Sequence, residues 1–340
     1  MGNRYVSAAY RELGAILRQA REKAGLTATE LAHMLDWSPA MISRMEHGRR
    51  TSTTTDVIQY VVMCGLRLPE IQPIVEFTRQ AEHKHGYYLS DERIDGSLQS
   101  LIFHESSAKH SIIYEPQVIH GLLQTPNYAR ALITAVNADF TEDWVEGSVR
   151  TRMERRRILN LSDHARFTFY IHENALRLRV GSERIMHEQL LHLLLTAGLD
   201  HITVRILPSA GGERSAFGAA FHLMEFHADR PIVYLENLRD GGLVLEDPEF
   251  VRSYQKMAPM LAAAAMSEGQ SRKLTADLAD QYDRGSQRGV ADHLEEEQLQ
   301  RRIGNELRGG GMAEEQSQRR RGFELRGGGV VEPPTPIYEA

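Results

Sequence analysis

The feature that most constrains the fold is a dense series of helix start and stop signals between residues 11 and 68. The start signals are two capping-box pairs and one Ser-Pro pair: Thr27 with Glu30, Thr53 with Asp56, and Ser38 with Pro39. Glycines suited to a left-handed cap follow three of the helical segments, at Gly25, Gly48 and Gly65. The pattern predicts a bundle of four helices with short joins.

The join between the second and third of these helices, Asp36-Trp37-Ser38, is very short. A join of this length favours two crossed helices, the geometry of the helix-turn-helix motif. The exposed side of the third helix is small at its start and basic further on: Ala40, Ser43, Arg44 and His47. Small residues let a backbone approach base edges, and Arg can form two hydrogen bonds with guanine. The sequence therefore predicts DNA contact, and a bundle without DNA contact is the weaker alternative.

Residues 11–68 resemble the helix-turn-helix of the Xre/lambda-repressor-like (Cro/C1-type) transcription factors. The resemblance rests on Gly25-Leu26-Thr27, Glu30-Leu31-Ala32, Ser38, Ile42-Ser43-Arg44-Met45-Glu46 and Gly48. It implies that these residues face DNA bases: Pro39, Ala40, Ser43 and Arg44. It also implies that Arg49 and Arg50 face phosphates. The family often has a phosphate-binding Gln where this chain has Ala28, and Thr27 and Thr29 are the candidate replacements.

The charge is distributed unevenly along the chain. The net charge is −6, but residues 1–70 hold nine Lys or Arg against seven Asp or Glu. Residues 71–283 hold 22 basic and 29 acidic residues. Fields near a protein surface come from charges within about 10 Å at physiological salt. Affinity for DNA is therefore expected to come from a local basic patch in the N-terminal domain.

Cysteine content and hydropathy bear on location. The single cysteine, Cys64, excludes an intramolecular disulfide and fits a reducing cytoplasm. It lies in an apolar run, so we expect a packed and unreactive thiol. No apolar run approaches the roughly 20 residues that a membrane helix needs. We therefore expect a cytoplasmic protein without membrane contact.

Residues 69–110 are predicted to form a helical connector, because apolar residues recur at helical spacing in its first and last parts. The segment 83–88 interrupts this spacing and is predicted to be a solvated helix end. A metal site using His83 and His85 is the weaker interpretation, since no Cys or carboxylate is suitably spaced.

Residues 111–283 are predicted to form a mixed α/β domain. Short β-rich runs predict strands at 112–114, 167–171, 202–207, 217–226 and 232–236, with a further candidate at 242–245. Helices are predicted at 185–197, 247–266 and 271–282. The basic helix 150–159 either contacts DNA or an acidic protein, or has a solvated charged face.

Four segments of this domain resemble actinobacterial Xre regulators with a DUF5753-type C-terminal domain: 114–129, 172–177, 202–208 and 233–236. Taken together, the resemblance covers about residues 11–283. Such regulators are often paired with a small DUF397-type protein, in a manner similar to an antitoxin with its partner. The resemblance therefore implies a small protein partner.

Acidic and imidazole side chains occur at the predicted strand ends: Glu173, Glu225, Glu236, Glu246, His172, His222 and His227. None of the sequence motifs of metalloproteases, phosphate-binding loops or serine hydrolases is present. Gly211-Gly212 and Gly241-Gly242 are predicted to be turns. We expect no catalytic residue, cofactor or metal, and an enzyme with a DNA-targeting module is the least favoured hypothesis.

The tail, residues 284–340, is rich in Gly, Gln, Glu and Arg, which predicts disorder. The sequence as a whole predicts an N-terminal all-α domain, a C-terminal α/β domain and this tail. It favours a dimeric regulator that binds a double-stranded DNA operator and is controlled through its C-terminal domain. The alternative is an antitoxin-like protein that neutralises the DUF397-type partner and regulates its own gene.

Overall fold

The structure, a computed structural model, describes residues 7–82, 86–90, 97–136, 141–161, 165–215, 217–237 and 241–287. The compact unit that contains the fold comprises residues 1–283. The tail that was predicted to be disordered lies outside the described residues from position 288 onward. The last helix runs over 268–287, and its final residues therefore extend into the predicted tail.

The N-terminal part is a bundle of five helices. They are α1 (Ala8–Lys23), α2 (Ala28–Leu35), α3 (Pro39–Glu46), α4 (Thr54–Met63) and α5 (Leu68–Glu82). Both predicted capping boxes are present, and Ser38 accepts a hydrogen bond from the backbone N–H of Met41. The all-α domain predicted from these signals is thus confirmed.

Gly48 ends α3 at a place that no larger residue fits. Its φ is +63°, and a Cβ atom there would lie 2.6 Å from the backbone of α1 at Tyr10 and Arg11. Gly25 and Gly65 also have positive φ, as their predicted cap positions require. The close approach at Gly48 brings the end of α3 directly against α1.

The rest of the unit is built on a seven-stranded mixed sheet. Its strands are β1 (Tyr87–Ser90), β2 (His110–Glu115), β3 (Arg166–His172), β4 (Ile202–Leu207), β5 (Phe221–Glu225), β6 (Ile232–Asn237) and β7 (Gly241–Leu245). The order across the sheet is β1-β7-β6-β5-β2-β3-β4. Strands β2, β3 and β4 are parallel, and the other pairings are antiparallel. The predicted C-terminal α/β domain is confirmed.

Helices connect and cover these strands. They are α6 (Ser97–Ser107), α7 (Pro126–Val136), α8 (Glu142–Arg156), α9 (Ile158–Leu161), α10 (Glu173–Arg177), α11 (Glu183–Thr196), α12 (Pro248–Ala264) and α13 (268–287). Short 3-10 turns lie at Gly121–Leu123 and Ser209–Ser215. Among the described residues, no helix has the length and apolar character needed to cross a bilayer.

Side chains alternate between the two faces of the sheet, and the strand register shows which residues share a face. Tyr114 and Leu223 lie on the face that packs against α12, which we call the α12 face. Ile113, His222 and Tyr234 lie on the opposite face, which we call the bundle face. At the parallel strands the bundle face packs against α7, α11 and α13; at the antiparallel strands it packs against the N-terminal bundle.

Two local interpretations of the sequence were wrong. The break in the helical spacing of 69–110 was predicted to be a solvated helix end, but Tyr87–Ser90 forms the edge strand β1 and pairs with β7, while His83 and His85 lie outside the described residues. Gly241 and Gly242 do not form a turn, since they begin strand β7. The partner of β1 is far away in the sequence, so local patterns do not reveal it, whereas Gly241 pairs with the nearby Asn237 of β6.

Candidate functional site

The side chains predicted to contact DNA bases all lie on the solvent-exposed side of α3. Pro39, Ala40, Ser43 and Arg44 are exposed, whereas Ile42 and Met45 on the opposite side are buried in the bundle core. Among the described residues, Arg44 forms no salt bridge and no side-chain hydrogen bond that would hold it against the protein. The structure therefore leaves its guanidinium available to a ligand.

The residues predicted to contact phosphates lie at the start of α2 and just after α3. Thr27 and Thr29 are exposed at the start of α2, and Arg49 and Arg50 are exposed just after α3. Arg50 lies 3.6 Å from the carboxylate of Asp56, a loose ion pair that a phosphate can replace. Thr27 Oγ1 is used by the capping box of α2, where it accepts the N–H of Glu30. Thr29 is thus the better placed of the two threonines to reach a phosphate.

A buried polar network fixes the position of α3. Glu46, the last residue of α3, accepts hydrogen bonds from Arg21 Nε at 2.7 Å and from Arg21 Nη2 at 2.9 Å. It also accepts one from Tyr60 Oη at 2.6 Å. Burial raises the pKa of Glu46, but the hydrogen bonds from Arg21 and Tyr60 outweigh it and hold the pKa below its usual value. Three helices, α1, α3 and α4, are joined through this one carboxylate.

The first helix of the bundle is capped by the sheet domain. Ser7, the N-cap residue of α1, makes no side-chain cap of its own. Instead Glu246, which follows β7, accepts hydrogen bonds from the backbone N–H of Ala8 and from Ser7 Oγ. A carboxylate is favourable at a helix N-terminus because the free N–H groups and the helix dipole attract negative charge. The N-terminus of α1 is therefore tied to the sheet.

Two further polar contacts join α1 to the sheet domain. The buried Arg11 forms a salt bridge with Asp229 at 3.0 Å, and its guanidinium lies 4.6 Å from the centre of the Phe226 ring. One residue later, Glu12 accepts a hydrogen bond of 2.7 Å from Tyr88 on β1. Tyr88 Oη also lies 2.7 Å from His104 Nε2 on α6. The helix-turn-helix bundle is thus held to the sheet by buried charged and polar contacts.

A second concentration of polar groups lies inside the sheet domain, on the bundle face. Glu105 from α6 is fully buried and forms an ion pair with Arg155 from α8. Arg155 Nε and Nη2 donate hydrogen bonds to the two carboxylate oxygens at 2.8 and 2.7 Å. His120 and His222 approach the same carboxylate, and all three residues are buried. We call Glu105, His120, His222 and Arg155 the buried cluster. The cluster thus places one carboxylate, two imidazoles and one guanidinium together in the protein interior.

Burial controls the protonation of this cluster. It lowers the pKa of His222 to about 3, with Arg155 adding to the shift. The pKa of His120 is also well below its usual value, through burial first and then through the nearby arginines and His222. On the same sheet face, burial and then the charge of Glu236 raise the pKa of Glu115 well above its usual range. At neutral pH both imidazoles are therefore neutral.

The arginine-rich helix predicted at 150–159 is solvated only in part, with Arg150 and Arg157 exposed. It forms the end of α8 and the short α9, and three of its arginines turn toward the protein. Arg155 holds Glu105, Arg152 donates to Gln124 Oε1, and Arg156 donates to the backbone oxygen of Gln124. Neither alternative drawn from the sequence, a DNA-facing surface or a solvated one, anticipated this internal role.

The other acids and histidines singled out in the sequence are not brought together. Glu173 pairs with Arg177 at 2.6 Å, and His172 caps α10. Glu225 contacts His110, and His227 is exposed. Only His222 joins the buried cluster, whose other members the sequence analysis did not identify as site residues. Cys64 is buried, and burial raises the pKa of its thiol to about 11, in keeping with the expected unreactive cysteine.

Comparison with known families gives two matches. The model described as "Domain of unknown function (DUF5753)" matches residues 98–277, more than half of the chain. The model described as "Helix-turn-helix domain" matches residues 12–73. These matches confirm the resemblance to helix-turn-helix regulators with a DUF5753-type domain. The comparison with curated proteins gives no match, and neither does the comparison with solved structures.

Proposed function

The chain belongs to the DUF5753 family and has an N-terminal helix-turn-helix domain, and we propose that it is a sequence-specific transcription regulator whose affinity for its operator is set through the C-terminal domain. DNA is the ligand, and the helix-turn-helix makes the contact. The place of action is the cytoplasm, where the DNA of a bacterial cell lies.

The observation that supports DNA reading most directly is the division of α3 into two sides. One side carries Ile42, Met45 and Glu46 into the core, and the buried hydrogen bonds of Glu46 fix its position. The other side presents Ser43 and Arg44 to solvent. A rigidly held helix with an exposed Arg suits the major groove, since two hydrogen bonds to guanine need exact placement of the guanidinium.

The contacts of α1 with the sheet support control through the C-terminal domain. Glu246 caps α1, and Glu12 binds Tyr88, so the orientation of the bundle depends on the sheet. A ligand that binds the protein more tightly in one orientation of the bundle shifts the population toward that orientation. Its effect on operator affinity is limited by the ratio of its affinities for the two orientations. The region matched by the DUF5753 model contains α6, β2 and β5, which surround the buried cluster.

We also propose that the protein binds its operator as a dimer. An eight-residue recognition helix with one strong base-reading side chain, Arg44, gives a single half-site little affinity. Two copies would span half-sites about 34 Å apart, one turn of DNA. On α11, Leu191 and Leu195 lie one helical turn apart and are exposed, Leu195 by 76%. This apolar strip is the surface that we assign to the second copy.

The test starts with the DNA that the protein occupies in cells, identified by sequencing. Binding to the strongest site is then measured by fluorescence anisotropy for the wild type, Arg44→Ala and Arg49→Ala. We expect Arg44→Ala to weaken the free energy of DNA binding by about 1–3 kcal/mol and to relax the base preference at one base pair. Arg49→Ala should weaken binding to all DNA sequences alike. It should also reduce the slope of log affinity against log salt concentration by about one.

Arg18→Ala is the matched control, because Arg18 is an exposed arginine of the same domain that pairs with Glu22 on α1. It should leave both affinity and selectivity unchanged. If Arg44→Ala binds with the affinity and base preference of the wild type, the assignment of α3 as the reading helix is wrong. The small DUF397-type partner stays a prediction, to be checked by co-purification from the native cell.

A further inference from the structure

Three potential metal ligands converge in the buried cluster from three separate elements. Glu105 lies on α6, His120 precedes the 3-10 turn Gly121–Leu123, and His222 lies on β5. One ligand atom of each lies within 4.8 Å of the others. No sequence motif unites these positions, which the fold alone brings together.

The histidine on β5 is the most unusual member. His222 is 3% exposed, yet within the described part of the chain neither of its ring nitrogens has a hydrogen-bond partner. Leaving a polar group buried without a partner is unfavourable, so such groups call for an explanation. A cation bound to the ring would provide one.

The distances fit coordination better than hydrogen bonding. His222 Nδ1 lies 3.5 Å from Glu105 Oε1, and the contact does not qualify as a hydrogen bond. Ligands held about 2.1 Å from a tetrahedral zinc ion lie about 3.4 Å from one another. Glu105 and His222 already have this separation, and the ligand atom of His120 lies within 4.8 Å of the other two, so coordination needs a shift of the His120 ring.

The surrounding charges allow a cation despite the presence of Arg155. A carboxylate has about four lone-pair sites, and Arg155 occupies one on each oxygen of Glu105, which leaves one on each free. Glu236 lies on the same sheet face, and its negative charge offsets the positive charge of Arg152 and Arg155. Hydrogen-bonded groups of this kind orient the carboxylate ligands of metal sites.

We propose that Glu105, His120 and His222 form a binding site for a divalent transition-metal ion, of which zinc is the best fit. Two imidazoles and one carboxylate are a common ligand set for zinc, and they leave a fourth position open. His120 Nδ1 accepts a hydrogen bond of 3.3 Å from Leu122 N–H. Binding through Nε2 moves the ring proton to Nδ1, so this long hydrogen bond is given up. The site does not depend on the function proposed above.

The experiment uses the full chain, purified without a polyhistidine tag and stripped of metal with a chelator. Cobalt(II) is added as a coloured substitute for zinc. We expect one cobalt per chain, with the intense visible absorption of a four-coordinate ion, and its displacement by zinc. Zinc should also raise the thermal midpoint of the wild type. His222→Gln should bind at least tenfold more weakly and lose the zinc-dependent rise in thermal midpoint.

The matched control is the double variant His83→Ala with His85→Ala, since these two histidines are the other candidate pair in the sequence. It should bind like the wild type. The proposal is overturned if the wild type binds no stoichiometric metal, if only the control loses binding, or if His222→Gln binds unchanged. Should His222→Gln not fold, zinc-edge X-ray absorption of the wild type decides: a first shell with two imidazoles supports the site, and one without them refutes it.

Discussion

Replacing Glu46 by Ala tests whether the buried network fixes the reading helix. The carboxylate accepts three hydrogen bonds, two from Arg21 and one from Tyr60. Glu46 and Arg21 are less than a tenth exposed, and Tyr60 is fully buried. The variant therefore leaves the Tyr60 hydroxyl without its acceptor, and leaves Arg21 with the Leu26 carbonyl oxygen and a 3.9 Å contact to Glu22. Breaking a buried ion pair by removing one partner costs about 3–5 kcal/mol, and we expect a loss in that range.

Urea unfolding followed by tryptophan fluorescence measures this loss. Trp37 packs at the edge of the bundle core, and a Trp144→Phe background makes it the only tryptophan in the chain. The control is Arg18→Ala, which removes an exposed salt bridge to Glu22 and should cost less than about 1 kcal/mol. If Glu46→Ala loses no more free energy of unfolding than this control, the network does not hold α3 in the way described.

Three further predictions concern the sheet domain. Burial lowers the pKa of His222 to about 3 and that of His120 well below its usual value, so the unfolded chain takes up protons that the folded chain refuses. The free energy of unfolding should therefore decrease as the pH falls below about 6.5, by up to about 1.4 kcal/mol per pH unit for each histidine. Urea unfolding at a series of pH values should show that this free energy depends less steeply on pH in His222→Gln than in the wild type. An equal dependence on pH in the two proteins would contradict this. Glu246→Gln removes the charge that caps α1 and should cost about 0.3–1 kcal/mol, seen as faster hydrogen exchange in the first turn of α1, whereas Glu249→Gln in the exposed first turn of α12 should leave that exchange unchanged. Leu195→Glu should convert the dimer to a monomer in sedimentation equilibrium, and a monomeric wild type would refute the assigned dimer surface.

The helices of the N-terminal domain could be predicted because their signals are local. A Thr with an acidic residue three positions on, and a Gly after the last turn, lie within one helix and its cap. The exposed side of α3 followed from helical periodicity, so Ser43 and Arg44 were placed correctly on the surface. The periodicity could not show that Glu46 is buried, because its sequence pattern is that of a polar surface residue. Its role depends on Arg21 and Tyr60, which the fold places beside it.

The sheet domain was harder because its decisive contacts are distant in sequence. β1 pairs with β7, more than 150 residues away, and nothing in 87–90 indicates that partner. Glu105, His120 and His222 come from segments up to 117 residues apart, whereas sequence motifs for metal sites depend on ligands a few residues apart. The arginines of α8 could not be assigned either, since a basic helix with buried acidic partners has the same sequence pattern as a solvated one.

Helix α6 lies between the buried cluster and the helix-turn-helix bundle, and this position connects the two proposals. His104 and Glu105 are adjacent, so their side chains leave the helix about 100° apart. His104 meets Tyr88, which binds Glu12 of α1, while Glu105 meets Arg155 and the cluster histidines. A ligand that repositions Glu105 therefore acts on the helix that contacts α1 through Tyr88. Coupling between two binding sites is reciprocal. If zinc changes operator affinity tenfold, the operator must change zinc affinity by the same factor. An operator affinity that zinc leaves unchanged would show that the two sites are not coupled.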